Sequence, residues 1–449
     1  MSRASGVRRV ALGVALAGAL TLPLVAGCHA SDPPGDDADV GLIDRAMTIV
    51  GRDYIAPVDR SELTTNALKG MLANLDPHSE YMDEAAYQAL RADLRGHFGG
   101  IGIRLAMVDG IPQVISPIDG TPAAHAGIDP GDVITEIDGS PTKKMGQEEI
   151  ISRLRGPVGT TVVVMIARAG RPPFPVTLTR AVIDVASVKS RLEPAGIGYL
   201  RVLSFGTATP SETAKALDGL MHAAGGRLNG LVLDLRDDPG GAIDSAVAVA
   251  GDFLDGGTVV STRGRSGEDQ DVYRATRHGD RLPGTPMVVL INGASASGSE
   301  IVAGALQDRK RATVMGTRSF GKGSVQSIIP LRGHGAIRLT VARYYTPAGR
   351  SIQDVGIAPD IVVTVPKAEQ ATGKLVREAD LKRALGNTGS LTHDAIAPPG
   401  TSAAEGDEAT IDPKLIGTAK DAQLHAALAF FADRAMQRTD IDTQPHKEP

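Results

Sequence analysis

Tryptophan is absent from this sequence, and Cys28 is its only cysteine. A lone cysteine excludes an intramolecular disulfide, a CxxC redox pair and any metal site built from several thiolates. Aromatic residues make up only 3% of the chain, too few for base-stacking surfaces. An excess of base is missing too: 47 Lys and Arg stand against 52 Asp and Glu, a formal net charge of −5. Phosphate backbones call for clustered positive charge, so nucleic acid is not an expected partner. The sequence has neither HExxH nor a cluster of histidines, and no metal or other cofactor is expected. What is present is ample. The 449 residues, 42% hydrophobic, suffice for two to three domains with sizeable cores.

The N-terminus carries Arg3, Arg8 and Arg9 ahead of an apolar stretch over residues 10–26. A basic start, a short apolar segment and small residues before a cut site make a secretory signal. The stretch is short for a membrane-spanning helix, and a polar, Pro- and Asp-rich run follows at once. It ends Val25-Ala26-Gly27-Cys28, which resembles the lipobox of bacterial lipoproteins. That resemblance implies an acylated Cys28 as mature N-terminus: an exported protein of the cell envelope or periplasm, lipid-anchored to a membrane.

Apolar residues at helical spacing predict helices through residues 40–95, interrupted at Asp76-Pro77-His78-Ser79 and resuming at 83–94. His78 reads as a capping or turn residue. Short β-runs follow, at 101–103, 113–115, 133–137 and 161–167, with a short amphipathic helix at 145–154. Beyond residue 190, strands (197–202, 230–235, 286–291, 312–316) alternate with helices (211–223, 242–253, 298–307). This is α/β layering. Residues 387–410 are Gly-, Ser-, Thr- and Pro-rich, as a linker would be, and 412–437 reads as a last amphipathic helix.

The segment Gly120-Thr121-Pro122-Ala123, Ala126-Gly127-Ile128, Pro130-Gly131-Asp132-Val133-Ile134 and Ile137-Asp138-Gly139 is dense in glycines suited to turns. It resembles a PDZ domain. Such a domain captures a peptide C-terminus by strand addition and holds the carboxylate in a nest of backbone amides. The candidate nest spans Gly99 to Ile103, with Gly100, Ile101, Gly102 and Ile103 as carboxylate-binding residues. Ile151 and Leu154 would face the pocket.

Three motifs carry chemistry. Asn292-Gly293-Ala294-Ser295-Ala296-Ser297-Gly298-Ser299-Glu300 lies between an apolar strand and a helix, where helix-terminal amides favour a developing anion. Serine is also a preferred helix cap, so this motif alone is ambiguous. Phe320-Gly321-Lys322-Gly323-Ser324-Val325-Gln326 sets a lysine between glycines, and a deprotonated lysine can serve a serine as general base. A phosphate loop is excluded because Gly323 stands where a hydroxyl must hold the metal ion. Asp234-Leu235-Arg236-Asp237-Asp238-Pro239-Gly240-Gly241 ends a strand in a turn whose amides can form an oxyanion hole.

Together these motifs resemble the C-terminal processing peptidases, or tail-specific proteases, over residues 42–366. The likeness includes Leu75-Asp76-Pro77-His78-Ser79, Ala342-Arg343-Tyr344-Tyr345-Thr346-Pro347 and Gly356-Ile357-Ala358-Pro359-Asp360. It implies Ser297 as nucleophile, Lys322 as base, Gln326 as the orienting residue, and Gly298 with Gly240 or Gly241 as oxyanion donors. Asp237-Asp238 replaces the Asn-rich pair more usual in the family. On a straight strand Lys322 and Gln326 would lie roughly 13 Å apart, so a bulge or helical turn is required between them. A Ser-His-Asp hydrolase is disfavoured, since no GxSxG surrounds Ser297. A PDZ scaffold without activity is disfavoured by the intact Ser297, Lys322 and Gln326.

The expected organisation is signal peptide 1–27, linker 28–39, helical region 40–96, PDZ domain 97–182, peptidase core 183–366, and C-terminal linker with helical tail 367–449. The expected fold class is mixed α/β and multidomain. The expected function is a serine endopeptidase that cleaves exported proteins near their C-termini. The family resemblance suggests a homodimer and admits an adaptor protein.

Overall fold

The computed structural model describes residues 37–442, apart from 96, 109, 185, 267–269, 372–375, 388 and 390–409. The signal segment, Cys28 and most of the expected linker lie outside the described residues. The chain divides into two units, Met1–Thr64 and Thr65–Pro449. The first carries the helix Asp37–Asp53, whose Val40, Leu42 and Ile43 are exposed.

The second unit is built on a six-stranded sheet, in the order Val188–Glu193, Ile197–Val202, Gly230–Asp234, Met287–Ile291, Thr313–Gly316 and Ile361–Val362. The first pair is antiparallel and the other four pairs are parallel. Gly230–Asp234 and Met287–Ile291 are buried at every position, as strands covered on both faces must be. On one face Leu231, Leu233 and Val289 pack with the helices Thr209–Ala223, Ile243–Gly251 and Gly298–Asp308. On the other, Val232, Val288 and Leu290 pack against Leu424, Ala427 and Phe431 of the helix Ala422–Asp442. A Cβ on Gly230 would lie 2.7 Å from the Phe431 ring, so only glycine permits that approach.

An antiparallel sheet lies beside it, ordered Glu80–Met82, Ala336–Tyr345, Thr258–Gly264, Gln270–Arg274, with Ser324–Pro330 also on Ala336–Tyr345. A third sheet holds Ile103–Val108, Ile111–Pro117, Val133–Ile137, Thr161–Ala167 and Phe174–Thr179. Its core joins Ile134, Ile166 and Val164 to Ile150 and Leu154 of the helix Gln147–Leu154. The fold is mixed α/β with a helical N-terminal region, as expected.

Three expectations are corrected. Ile101 and Gly102 are not strand but a link between His97–Gly100 and Ile103–Val108. Gly102 has φ +79°, and the two carbonyls accept from Ala123 N–H and Ile118 N–H, both at 2.9 Å. The last helix begins at Ala422 rather than 412, because the Asp421 carboxylate caps it by accepting Leu424 N–H at 3.0 Å. Glu80–Met82, inside the expected helical region, is a strand paired with Ala336–Tyr345.

Candidate active site

The strand Met287–Ile291 ends in a tight loop that leads into the helix Gly298–Asp308, and Ser297 stands at the junction with φ +55° and ψ −111°. Such a conformation costs a non-glycine residue of order 1–3 kcal/mol and persists only where its surroundings enforce it. The two serines beside it are committed elsewhere. Ser295 is buried, and its hydroxyl donates to the Leu235 carbonyl at 2.8 Å. Ser299 is buried, and its hydroxyl donates to the Asp238 carbonyl at 2.9 Å.

Glu300, 0% exposed, fixes the strained junction and ties it to the lysine loop. Its Oε2 accepts Ser297 N–H at 2.8 Å and Lys322 N–H at 2.9 Å. Its Oε1 accepts Gly321 N–H at 2.7 Å and the Ser319 hydroxyl at 2.6 Å. The serine and lysine backbones therefore meet on a single oxygen atom. Burial pushes this carboxyl up to about 7, against four hydrogen bonds that favour the ionised form.

The other handles of the lysine loop are held as well. Gly323 N–H donates to Gln353 Oε1 at 3.0 Å, and the Tyr344 hydroxyl donates to the Lys322 carbonyl. Tyr344 also faces the Ser297 hydroxyl, and burial raises its phenol well above the ordinary value. The Lys322 amine is pushed down by burial and by Arg338, while Glu378, Glu300 and Asp76 oppose the shift. An amine that sheds its proton more easily is what a base requires.

Across from Ser297 lies the Pro239-Gly240-Gly241 turn. A Cβ on Gly240, at φ +91°, would sit 2.6 Å from Gly298 N and 2.8 Å from Ser297 Cβ. The turn thus presses directly on Ser297. Gly240 N–H is already taken, by Asp238 Oδ1 at 2.8 Å. Gly241 N and Gly298 N have no acceptor among the described residues, and Gly241 N lies 3.4 Å from where a Gly298 Cβ would be.

Gln326 lies at a register shift, where Val325 faces Ala342 and Gln326 faces Thr340, so the extra residue, Val341, is on the facing strand rather than between Lys322 and Gln326. The Gln326 amide donates to Ser324 Oγ at 3.0 Å and Thr340 Oγ1 at 3.2 Å rather than to Ser297.

In the small antiparallel module, Ile101 is 2% exposed and Ile103 half-buried, both packed against its core. Gly99 belongs to a strand rather than a turn. It pairs with Val182 in a two-stranded ladder and accepts Gly156 N–H at 3.0 Å, and a Cβ would strike Gly156 O at 2.1 Å. Gly100 belongs to the same ladder, opposite Ala181. Leu154 is buried and Ile151 half-buried on the facing helix, and the Arg155 guanidinium stacks on Phe98 at 4.0 Å.

Residues 196–363 match the model of peptidase family S41, 113–168 that of a PDZ domain, and 29–86 that of the activating protease CtpB N-terminal domain. A carboxy-terminal-processing protease of Bartonella bacilliformis is 47% identical over 326 residues, 72% of this chain and 75% of the relative. The chain belongs to peptidase family S41. A carboxyl-terminal-processing protease of Synechocystis is 36% identical, over 69% of this chain and 73% of the relative. A solved photosystem II D1 C-terminal processing protease aligns with 72% of this chain and 92% of its own, at 31% identity and TM-score 0.45. This S41 chain is a serine-type peptidase with a PDZ domain, in a family of carboxy-terminal processing proteases.

The S41 core also recruits residues to which the sequence motifs assigned no place in the site. Asp76 and Ser79 dock onto the strand that carries Tyr344: Thr340 Oγ1 donates to Asp76 Oδ1 at 3.0 Å, and Thr340 N–H donates to Ser79 Oγ at 3.1 Å. His78 is in a turn as expected, but its Nε2 lies 2.8 Å from Glu378 Oε2. Glu378, 0% exposed, accepts Gln353 Nε2–H at 3.0 Å, and so joins His78 to the residue that holds Gly323. A glutamate 56 positions beyond Lys322 offered no spacing signal that could have found it.

Proposed function

We propose that this S41 peptidase is an endopeptidase that captures protein C-termini in its PDZ domain and cleaves near them through an acyl-enzyme. The observation that carries this reading is the shared carboxylate of Glu300, which sets Ser297 and Lys322 on one anchor. The neutral Lys322 amine takes the proton of the Ser297 hydroxyl as Oγ attacks the scissile carbonyl. Gly298 N–H and Gly241 N–H are the oxyanion donors, and Gly240 N–H is excluded because Asp238 already occupies it. The tetrahedral species collapses as the lysine ammonium protonates the leaving amine, and water then releases the acyl group by the same route in reverse. Gln326 orients the lysine loop through Ser324 and Thr340.

Ile101 and Ile103 line the pocket for the terminal side chain, and the amides around Gly102 hold the carboxylate. Cys28 carries the lipid that tethers the exported enzyme to the membrane. The test uses an apolar-ended peptide in its free-acid and C-terminal amide forms. Ser297→Ala should abolish cleavage of both while leaving binding of the free acid intact. Amidation should weaken binding about 10- to 150-fold, the worth of a charge-assisted contact. Equal cleavage of acid and amide would sink the PDZ assignment, and activity surviving in Ser297→Ala would sink the nucleophile.

A further inference from the structure

Beneath the Gly240-Gly241 turn lies a carboxyl group that the mechanism leaves unused. Asp238 is 0% exposed. Its Oδ1 accepts Gly240 N–H at 2.8 Å, and its Oδ2 is buried with no hydrogen-bond partner among the described residues. Its main-chain carbonyl accepts Ala296 N–H at 3.0 Å and the Ser299 hydroxyl at 2.9 Å. One residue thus holds the oxyanion turn by its side chain and the nucleophile loop by its backbone.

Few charges face this carboxyl. Arg201, on the strand Ile197–Val202, supplies the facing positive charge, and its own Nε is buried without a partner. Asp237, next in sequence, accepts Asn292 Nδ2–H at 2.8 Å. Arg236 is paired with both Asp234 and Asp421. From the helix Gly298–Asp308 comes only the neutral Ser299 hydroxyl.

We propose that Asp238 is a positioning residue of the oxyanion turn that supports catalysis only as the neutral acid, so that its ionisation sets a falling alkaline limb on kcat. The proposal rests on Gly241 and Gly298 being the oxyanion donors. The neutral acid offers Oδ1 to Gly240 N–H and fixes the peptide plane that precedes Gly241 N–H. The ionised form keeps that hydrogen bond but sets a buried negative charge behind the amides that must receive the oxyanion. Like charges at such range in a desolvated site oppose each other strongly. Burial pushes the carboxyl up to about 8, against the pull of Gly240 N–H, Ser299 and Arg201. The change of state therefore falls in an accessible pH range.

The experiment measures kcat from pH 6 to 10 for the full chain, Asp238→Asn and Asp238→Ala, with thermal stability over the same range. Wild-type kcat should rise as Lys322 loses its proton, then fall about tenfold or more above pH 8. Asparagine keeps an acceptor for Gly240 N–H but cannot ionise, so its kcat should stay level above pH 8. Alanine should lower kcat at every pH, because the turn loses its anchor. A wild type with no falling limb, or an Asn variant that keeps it, overturns the proposal.

The stability arm is independent of activity. A carboxyl raised in the folded state holds its proton there longer than in the unfolded chain. Its stabilising contribution is complete below about pH 4 and is lost as pH rises toward 8. The Tm of wild type should therefore drop relative to Asp238→Asn between pH 5 and 8.5. A constant Tm difference overturns the titration itself. A changing difference with an unaltered limb overturns the role in catalysis and points to other oxyanion donors. A wild type that cleaves nothing defeats the peptidase reading, while the Tm arm still decides the ionisation.

Discussion

At the scale of single residues, the site is a problem of proton placement. In the proposed mechanism Lys322 must be neutral to accept the Ser297 proton, and burial with the nearby Arg338 moves its amine in that direction. Because the folded-state value is depressed, the active free amine accumulates as pH rises through it, and activity should climb on that side. Lys322→Ala and Lys322→Arg should both lose nearly all kcat with the fold and peptide binding retained, since a guanidinium stays protonated. Substantial kcat in the arginine variant would leave the lysine only an electrostatic part. The three serines, alike in residue type, differ in their partners. Ser295 and Ser299 donate to buried carbonyls, so alanine there should cost stability more than catalysis. Circular dichroism melts beside kcat would separate the two effects.

At the scale of elements, the lysine loop is held by side chains from three separate segments, and a fourth acts through one of them. Glu300 comes from the helix after the nucleophile, Tyr344 from the neighbouring strand, Gln353 from the following loop, and Glu378 from the segment beyond the family match. The last of these is an unforeseen contribution from the tail. Asn387 Nδ2 donates to the Gln353 carbonyl at 2.6 Å, and Arg383 donates to the Ala73 carbonyl at 2.8 Å, so residues 378–387 strap the turn at Asp76 to the catalytic loop. Glu378→Gln removes one negative charge that favours the Lys322 ammonium. The rising limb of kcat should therefore move to lower pH, while the plateau falls about 3- to 10-fold as His78 and Gln353 lose a charged partner. A limb that stays in place would show that Glu378 does not act on the lysine. The register shift at Gln326 belongs to this scale too: it sets Gln326 opposite Thr340, whose hydroxyl its amide reaches.

At the scale of the whole molecule, the C-terminal helix completes the core. Phe431 and Leu424 cover a sheet face that would otherwise stand open to water, and Asp421 forms an ion pair with the fully buried Arg236. Phe431→Ala should destabilise by about 3–5 kcal/mol, read as a lower midpoint in urea with an unchanged slope. A shift below about 1 kcal/mol would mean that the helix is a loose appendage. Anchoring is the other molecular question. Labelled fatty acid should enter the wild-type protein but not Cys28→Ser, and the wild type should pellet with membranes. Equal labelling of both would exclude the lipid anchor at that residue.

The sequence by itself determined the fold class, the order of most strands and helices, the family, and the segments that bear the serine and the lysine. These are local properties: apolar runs set buried strands, glycines mark turns, and contiguous motifs keep their chemistry in a few adjacent residues. Tertiary structure alone decided which glycine amide is free, because the side chain that occupies Gly240 N–H is chosen by the path of the turn. It also revealed Glu300 as the joint between the two loops, brought Asp76 and Glu378 near Lys322, and set His78 against Glu378. Those contacts span up to 300 positions of chain, as His78 and Glu378 do. Nothing in residue spacing encodes a meeting that arises only when separate layers pack.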